Sequence, residues 1–397
     1  MSKLTKLIKK PRLFFKDMIL NMMGDKVTLK SQQAITNLNI FSDFKFILHI
    51  GDNNNNNNSL HHLKIWYPYF VESKIKFMIV VRTMEAFIGM QREYPEANIV
   101  YAKNKSDIDD LFLAFPTILA CFYTSNTGNN FHLLYKTHIK HIFIGHGDSD
   151  KTSSAHKFFR VYDENWVAGD AHIDRIINAG FELNGLQNIK VGRPTLSNIL
   201  KQTKIEWRGR FQGVMRVLYL PTWEGYLQEQ DYSSLENLKD NLLLMQQIEN
   251  IEICLKMHPF SGKRSEKFLD FERGLEEYKV KIIPRTKVLE NYIGLSNLFV
   301  CDISAVVSEC LAANAPIFLY IPKNKNIKMA SSNMPYEYYC YIYSTPEELH
   351  GLMERVLKGD DYLGKNRLEA QEYIINRQDT INNSFVKRLK ELGSNYE

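Results

Sequence analysis

A histidine between two glycines is the first group in the sequence that could do chemistry. Gly145-His146-Gly147 directly follows an apolar run typical of a buried strand, so the imidazole lies at a strand end with little shielding. Histidine titrates near neutral pH, which suits a general base acting on a hydroxyl. Asp148 or Asp150 is a candidate to orient the ring. The alternative interpretation is a histidine with a purely structural role.

A second histidine, His258, also ends an apolar run. Lys256 precedes it by two positions, and side chains at this spacing on a strand point to the same face. Pro259 stiffens the backbone that follows. The pair therefore predicts a site for a negatively charged phosphate. A strand end with a surface lysine is the alternative interpretation.

A third candidate site follows the apolar run that ends at Cys301. A short polar turn leads into a helix, and we expect Asp302 or Ser304 to cap the start of that helix. Exposed N–H groups and the helix dipole favour anions at such a terminus. Glu309 lies a turn further on and is a candidate acceptor for ribose hydroxyls. Helix capping alone would also explain Asp302 and Ser304.

Short apolar runs alternate with helical stretches, and these elements must position the candidate groups. In the first half we predict strands at 45–51, 76–81, 97–101, 117–123 and 141–145. Helices are expected at 83–94 and at 106–114, the second with Ser106 as its N-cap. Buried strands of this length between helices indicate a parallel, doubly wound sheet. Ligands of such sheets bind beyond the carboxyl ends of the strands, where all three candidate sites lie.

The apolar pattern breaks between residues 195 and 214 and then restarts. Four cations interrupt it there, namely Lys201, Lys204, Arg208 and Arg210. Further strands are predicted at 216–220, 251–256, 280–283, 298–301 and 315–320, and helices from about 345 to 392. At 397 residues the chain is long enough for two domains. We therefore predict an α/β protein with two facing Rossmann-like domains, residues 31–200 and 215–397, and an active site in the cleft between them.

Basic charge is concentrated at the start of the sequence. The net charge is +5, and residues 1–16 contain six cations and no acid. Cations mixed with bulky apolar residues predict a basic amphipathic helix within residues 1–30, with residues 1–20 on an anionic membrane surface. An ordinary helix packed on the protein is the alternative. A nucleic-acid partner is not expected, because such proteins spread Lys and Arg along a whole face.

The composition also bears on location and cofactors. No apolar run reaches the roughly 18 residues of a transmembrane helix, so we expect a cytoplasmic protein held at the inner face of the plasma membrane. The five cysteines form no CxxC pair, which favours reduced thiols. There is no Walker lysine loop, GxGxxG or HExxH motif. Asp107, Asp109 and Asp110 fall in the first turns of a predicted helix, where acids favour the dipole. We therefore expect no metal and no cofactor.

Four short motifs, taken together, resemble those of the CDP-glycerol glycerophosphotransferase family. They are Gly145-His146-Gly147, Tyr219-Leu220-Pro221-Thr222-Trp223, Lys256-Met257-His258-Pro259 and Asp302-Ile303-Ser304-Ala305. They come in the order of the family, with fitting spacing, over about residues 140–320. The family comprises the primases and polymerases of teichoic acid, with relatives in capsule synthesis.

The resemblance implies a GT-B-like fold, a nucleotide-activated donor and no metal. His146 would be the base on the acceptor hydroxyl, and His258 would contact the donor pyrophosphate. Residues 31–200 would form the acceptor side of the cleft and residues 215–397 the donor side. The donor-binding residues so implied are Thr222, Lys256, Asp302, Ser304, Ala305 and Glu309, with Gly145, Gly147 and Asp148 in support of the catalytic histidines.

The implied reaction is attack on the β-phosphorus of a CDP-polyol, either CDP-glycerol or CDP-ribitol, with CMP leaving. The acceptor would be a hydroxyl of a lipid-linked saccharide, in a priming or linker-extending step of capsule or teichoic-acid-type polymer synthesis. Two positions depart from the family pattern and leave the polyol open: Glu224 stands where an arginine is common, and Ala305 where a second serine is usual.

Two other functions remain open from the sequence. One is a GT-B glycosyltransferase with a CMP-sugar or another nucleotide-sugar as donor. The other is a non-catalytic, membrane-associated scaffold that keeps the fold. Loss of both His146 and His258 would be the signature of a scaffold, and both residues are present.

Overall fold

A computed structural model of the chain describes residues 43–52, 58–147, 149–202, 206–210, 213–225, 227–262, 275 and 278–394. The predicted basic helix of residues 1–30 and the candidate Asp148 lie outside these residues, and so does Lys204. Within them, the strands form two parallel sheets, which confirms the predicted α/β architecture.

The first sheet has the described strands in the order β3-β2-β1-β4-β5-β6-β7, all parallel. They are β1 (Phe46–Ile50), β2 (Phe77–Val81), β3 (Ile99–Tyr101), β4 (Ala120–Tyr123), β5 (Lys140–Phe143), β6 (Glu164–Val167) and β7 (Gln187–Lys190). The first five match the apolar runs and are confirmed. β6 and β7 were not predicted, because each begins with two polar residues where a buried strand is usually apolar.

Helices cover both faces of this sheet. They are α1 (Asn58–Ser73), α2 (Met84–Glu93), α3 (Lys105–Ala114), α4 (Phe131–Leu134) and α5 (Asp170–Asn178). The next helix, α6 (Ser197–Gln202), packs Ile199 and Leu200 in the core of the second half instead. Phe46 and Leu48 of β1 pack in one hydrophobic cluster, whereas Ile47 between them packs in another. This alternation places apolar side chains on both sides of the sheet and explains the continuous apolar runs.

The start of α3 differs from the prediction. Ser106 was expected as its N-cap, but the helix begins at Lys105 and Asn104 is the cap residue. The carboxylate of Asp107 accepts the backbone N–H groups of Lys103 and Asn104, at 2.8 Å each. These two bonds satisfy the donors that precede the helix and fix its start.

The second sheet has the order β10-β9-β8-β11-β12-β13 and is also parallel. Its described strands are β8 (Met215–Leu220), β9 (Ile251–Leu255), β10 (Val280–Ile282), β11 (Leu298–Asp302), β12 (Ile317–Tyr320) and β13 (Tyr341–Tyr343). The helices are α7 (Leu238–Met245), α8 (Glu290–Ile293), α9 (Val306–Leu311), α10 (Pro346–Leu357), α11 (Gly364–Ala370), α12 (Arg377–Ile381) and α13 (Ser384–Ser394). The predicted strands and the helical end are confirmed, and only β13 was not predicted.

The end of the chain packs on the first sheet rather than the second. Phe385 of α13 lies in the core of the first half, with its ring stacked on Trp66 at a centroid distance of 4.7 Å. A Cβ added to Gly192, which has a φ of +71°, would lie 2.4 Å from the backbone nitrogen of Thr380. The close approach at Gly192 leaves no room for a side chain. The domain limits 31–200 and 215–397 stay a prediction, to which the structure adds this return of α13 to the first half.

No helix among the described residues is both long and apolar enough to cross a bilayer. The longest that the structure describes near the cleft, α1, carries Lys64 and Glu72 and contributes Trp66 and Phe70 to the core of the first half.

Candidate active site

The loop after β5 presents the first candidate histidine. Gly145 has a φ of +62°, a left-handed conformation that glycine adopts without steric cost. The indole of Trp66 donates a hydrogen bond to the carbonyl oxygen of Gly145 at 2.6 Å. This turn, held from α1, is followed by His146, which is exposed as a whole residue although its ring packs against His62.

A backbone carbonyl fixes the tautomer of His146. Its Nδ1 lies 2.9 Å from the oxygen of Thr124, and a carbonyl can only accept, so Nδ1 carries the proton. The Nε2 lone pair of the neutral ring is therefore free to accept a proton from a substrate. Burial, followed by the neighbouring His62, lowers the pKa of His146 to about 3. Surrounding protein atoms thus keep the ring neutral, with the lone pair on Nε2.

Two residues that the sequence analysis missed lie near His146, one in contact with its ring and one bonded to the first. The ring of His62, from α1, stacks on it with a centroid distance of 4.0 Å and an interplanar angle of 22°. The Nδ1 of His62 lies 2.8 Å from the Oδ2 of Asp52, which also accepts a hydrogen bond from Ser125 at 3.2 Å. Asp52 follows β1 as His146 follows β5, so its strand-end position was the signal that could have found it.

Asp150, one of the two acids proposed to orient His146, does not do so. Its carboxylate receives the Nε–H of Arg175 at 2.5 Å, and both side chains are buried. An ion pair desolvated on both sides ties its members together. The prediction for Asp150 is therefore wrong.

In the second half, Asp302 ties two loops together. Its Oδ2 accepts the backbone N–H of Thr222 at 2.7 Å and that of Ser234 at 3.0 Å. Burial raises the pKa of Asp302 to about 7. Because Asp302 is the last residue of β11, its side chain reaches across to the loop after β8. Thr222 and Asp302, both predicted as donor-binding residues, are thereby brought together.

The expected capping of α9 by Asp302 or Ser304 is wrong. The N-cap residue is Ala305, and no side chain caps it. The hydroxyl of Ser304 donates instead to the carbonyl oxygen of Asp302 at 3.2 Å. The carboxylate of Asp302 is already used by the neighbouring loop, so it is not available to the helix.

The second candidate histidine has the opposite tautomer from the first. The Nδ1 of His258 accepts the backbone N–H of Phe260 at 3.1 Å, so the proton of the neutral ring is on Nε2. Burial, followed by Lys151 and Lys256, lowers the pKa of His258 to about 3. The neutral ring therefore presents an N–H donor, as a phosphate oxygen requires. Trp223 stacks on it with an interplanar angle of 20°.

Cations from both halves surround His258. Lys256 donates a hydrogen bond to the carbonyl oxygen of Arg285 at 3.0 Å, and burial lowers the pKa of Lys256. Lys151, from the first half, donates to the hydroxyl of Thr222 at 3.3 Å, and burial lowers its pKa to about 8. Burial, then His62 and Lys256, lower the pKa of His61 to about 4. Sequence reasoning missed Lys151, because a single lysine in a polar loop carries no pattern.

Glu309 lies beside a second acid and two cations. Burial, followed by Glu290, raises the pKa of Glu309 to about 8, against the opposing effects of Arg193 and Lys256. The carboxyl is therefore protonated at neutral pH and can both donate to and accept from a hydroxyl. Arg193, which the sequence analysis also missed, donates to the carbonyl oxygen of His146 at 2.6 Å. Arg193 thus connects the loop of His146 with the surroundings of Glu309.

The two strand-end loops meet across the cleft. A Cβ added to Gly147 would lie only 3.0 Å from the Cβ of Ala305. A further hydrogen bond of 2.8 Å joins the backbone N–H of Ala330 to the carbonyl oxygen of Asp150. The structure therefore brings the loop of His146 against the turn that contains Ser304. Groups of three or more potential metal ligands do not occur among the described residues.

Known proteins share both the sequence pattern and the architecture. Residues 128–389 match the model of a family described as CDP-glycerol:poly(glycerophosphate) glycerophosphotransferase. No curated protein matches the sequence significantly.

Solved structures with a similar fold include polymerases and epimerases. A variant of the wall teichoic acid polymerase TagF is 12% identical with a TM-score of 0.58, covering 96% of this chain and 98% of that one. Another TagF variant, soaked with CDPG, is 13% identical with a TM-score of 0.54, covering 96% and 99%. The UDP-GlcNAc 2-epimerase of Neisseria meningitidis, bound to UDP-GlcNAc, is 10% identical with a TM-score of 0.56, covering 88% and 100%. At these identities the likeness establishes the GT-B-like fold.

Proposed function

The chain belongs to the CDP-glycerol:poly(glycerophosphate) glycerophosphotransferase family, and from this premise we propose that it transfers a polyol phosphate from a CDP-polyol to a hydroxyl of a lipid-linked saccharide. One observation carries the proposal. A histidine with a lone pair on Nε2, His146, and a histidine with an Nε2–H donor, His258, come from opposite halves, whose strand-end loops contact each other at Gly147 and Ala305. The first suits proton removal, and the second suits phosphate binding.

The donor side of the cleft suits a nucleoside diphosphate. His258, Lys151 and Lys256 lie close enough together for each lysine to lower the pKa of the histidine. A pyrophosphate would be neutralised by these cations and would receive the Nε2–H of His258. The raised pKa of Glu309 favours a protonated carboxyl, which would bond ribose hydroxyls. Thr222 and Ser304 supply hydroxyl groups near the phosphates.

On the acceptor side, His146 removes the proton of the attacking hydroxyl. The oxygen forms a bond to the β-phosphorus while the bond from that phosphorus to the bridging oxygen breaks. CMP leaves with the electron pair of that bond, and the proton stays on Nε2 of His146 until solvent takes it. Most of the rate enhancement would come from positioning and from charge neutralisation by the surrounding cations. No step requires a metal in this proposal.

The cellular role is proposed from the family and from the charge pattern. We place the reaction in the synthesis of a teichoic-acid-type or capsule polymer, as a priming or linker-extending step at the inner face of the plasma membrane. Residues 1–20, with their cations and bulky apolar side chains, would hold the protein at the anionic surface. Binding to liposomes of anionic and of zwitterionic lipid, with and without these residues, tests this part.

The test of the reaction is a donor and product assay. Purified protein is incubated with CDP-glycerol, CDP-ribitol or CMP-sialic acid and a panel of lipid-linked saccharides, and both CMP release and product mass are followed. A product heavier by a polyol phosphate supports the proposal and identifies the donor. A product heavier by a sugar alone contradicts it and makes the protein a glycosyltransferase that uses the same cleft.

A further inference from the structure

Asp52 and His62 form a polar pair beside the candidate base. Both are little exposed, and neither lies within residues 128–389, the range that the family model matches. Regular elements fix the backbone of both residues: His62 is on α1, and Asp52 lies two residues after the end of β1. Three bonded or stacked groups thus stand in a row: Asp52, His62 and His146.

The carboxylate at the end of this row is held in its charged form. Burial acts to raise the pKa of Asp52, but the hydrogen bond and the charge of His62 outweigh it, so the pKa is lowered. Ser125 adds a second hydrogen bond to the same oxygen at 3.2 Å. A negative charge is therefore fixed behind the pair of rings at neutral pH.

We propose that Asp52 and His62 are positioning residues for His146: His62 sets the orientation of its ring, and Asp52 holds His62 and stabilises the positive charge that His146 gains on accepting a proton. The inference rests on the proposed role of His146 as the base. The hydrogen bond to Asp52 fixes the plane of the His62 ring. The stacked His62 ring in turn restricts rotation of His146, whose Nδ1 is held by Thr124 from the other side. No proton leaves Asp52 or passes through the stack.

The charges that face His146 come from three elements. Asp52 acts from the end of β1, His62 from α1, and Arg193 from the loop after β7. Asp52 raises the pKa of His146, whereas His62 and Arg193 lower it. Substitution of Asp52 and substitution of His62 should therefore shift the titration of His146 in opposite directions. A role in folding alone would produce no such opposition.

The kinetic test uses Asp52→Asn and His62→Gln in the full chain. With CDP-glycerol as donor, we expect kcat to fall by about 10- to 100-fold in each variant, which is part of the rate enhancement that a general base contributes. The KM for the donor should stay unchanged. The acid limb of the pH profile should move to lower pH in Asp52→Asn and to higher pH in His62→Gln. Matched controls are Asp170→Asn, whose side chain is half-exposed in a pair with Lys190, and His138→Gln, which is exposed.

A second measurement keeps this inference separate from the proposed function. Histidine-selective nitrogen NMR of the same proteins follows the tautomer and titration of His146 without any substrate. Opposite shifts of its pKa in the two variants support the positioning role even if CDP-glycerol is not the donor. Unchanged titration in both variants, or equal losses of kcat with a raised donor KM and no movement of the acid limb, would overturn it. Absence of turnover in the wild type with opposite NMR shifts would contradict the proposed function and leave the positioning intact.

Discussion

The two cleft histidines occupy equivalent places in the two halves but are prepared for different chemistry. Each follows a parallel strand at its carboxyl end, and burial lowers the pKa of each to about 3. His146 donates through Nδ1 to a carbonyl of the neighbouring β4–α4 connection, whereas His258 accepts through Nδ1 from the N–H of Phe260, two residues on. One ring therefore offers a lone pair to the cleft, and the other offers a proton. The backbone group that meets Nδ1, and not the strand-end position, decides which.

The acids of the two halves also differ, because their pKa values are shifted in opposite directions. Asp52 in the first half has a lowered pKa, because the bond and charge of His62 outweigh burial. Asp302 and Glu309 in the second half have raised pKa values of about 7 and about 8, because burial dominates. The first half thus keeps a negative charge behind its base. The second half keeps its carboxyls closer to neutral, which suits a site for an anionic donor.

The largest expected effect comes from removing the imidazole of His146, whose Nε2 carries the lone pair. His146→Ala should lower kcat by about 10²–10⁴-fold, the contribution of a general base, because the substitution removes the nitrogen that takes the proton. The affinity for CDP-glycerol, measured by calorimetry, should stay nearly unchanged, since the proposed donor site lies in the other half. His138→Ala, at the opposite edge of the first sheet, is the control. Turnover that survives in His146→Ala would show that the base is another group.

Removing the donor N–H of the second half should act on binding. His258→Ala should weaken CDP-glycerol binding by about tenfold or more, since a hydrogen bond to a charged group contributes about 1.5–3 kcal/mol. His258→Gln keeps an N–H donor and should lose less. Calorimetry with CDP-glycerol and with CMP checks both, and CMP should be the less affected ligand. Equal affinity of all three proteins for CDP-glycerol would remove His258 from the pyrophosphate site.

The contact between the two loops gives a smaller effect that a second substitution should reverse. Gly147→Ala places a Cβ at 3.0 Å from that of Ala305, so the halves must separate slightly. We expect a loss in kcat of about tenfold, because small displacements of reacting groups are costly. In the double variant Gly147→Ala with Ala305→Gly the space returns, and kcat should recover. A double variant as slow as the single one would mean that Gly147 acts through its backbone instead.

The smallest effect concerns stability and separates the acids of the two halves. The pKa of Asp302 is raised in the folded protein, so its contribution favours folding most at acid pH and declines as the pH rises from about 4, the unfolded value, to about 7. Asp302→Asn removes this titration while keeping an acceptor oxygen. Its free energy of unfolding, followed through the Tm, should therefore change less between pH 5 and 7 than that of the wild type. The expected difference is on the scale of the roughly 1.4 kcal/mol that one pKa unit represents.

Asp52→Asn should do the reverse. Because the pKa of Asp52 is lowered, its contribution to stability is present above the unfolded pKa and is lost as the pH falls. The wild type should thus lose its advantage over this variant on acidification. Thermal melts of both variants and of Asp170→Asn, from pH 7 down to below about 4, the unfolded pKa of an aspartate, make the comparison. Parallel curves for all three proteins would contradict the assignment of both acids.

Much of the fold was predictable because buried parallel strands consist mostly of apolar residues, which are visible as runs in the sequence. β1, β2 and β8 are mostly apolar, and each was predicted close to its observed limits. β6 escaped because it begins Glu164-Asn165. Those polar groups are buried only because Lys140, Trp166 and Asn188 bond them. Such partners are distant in sequence or not patterned, so no local rule anticipates them.

Within the site, the sequence by itself determined which strand ends carry reactive groups. Three local patterns carry these groups: the glycines that flank His146, the lysine two residues before His258 and the polar turn after β11. Each has a local physical cause, and together they contributed to the resemblance by which the family was predicted. The tertiary structure decided everything that depends on a partner from elsewhere in the chain. It set the tautomers of both histidines, the use of Asp302 as a tie between loops, the loss of Asp150 to Arg175, and the pairing of Asp52 with His62 beside the base. The reason is that hydrogen bonds and burial act over distances of a few ångströms in space, which residues far apart in the chain reach only after the sheets have formed.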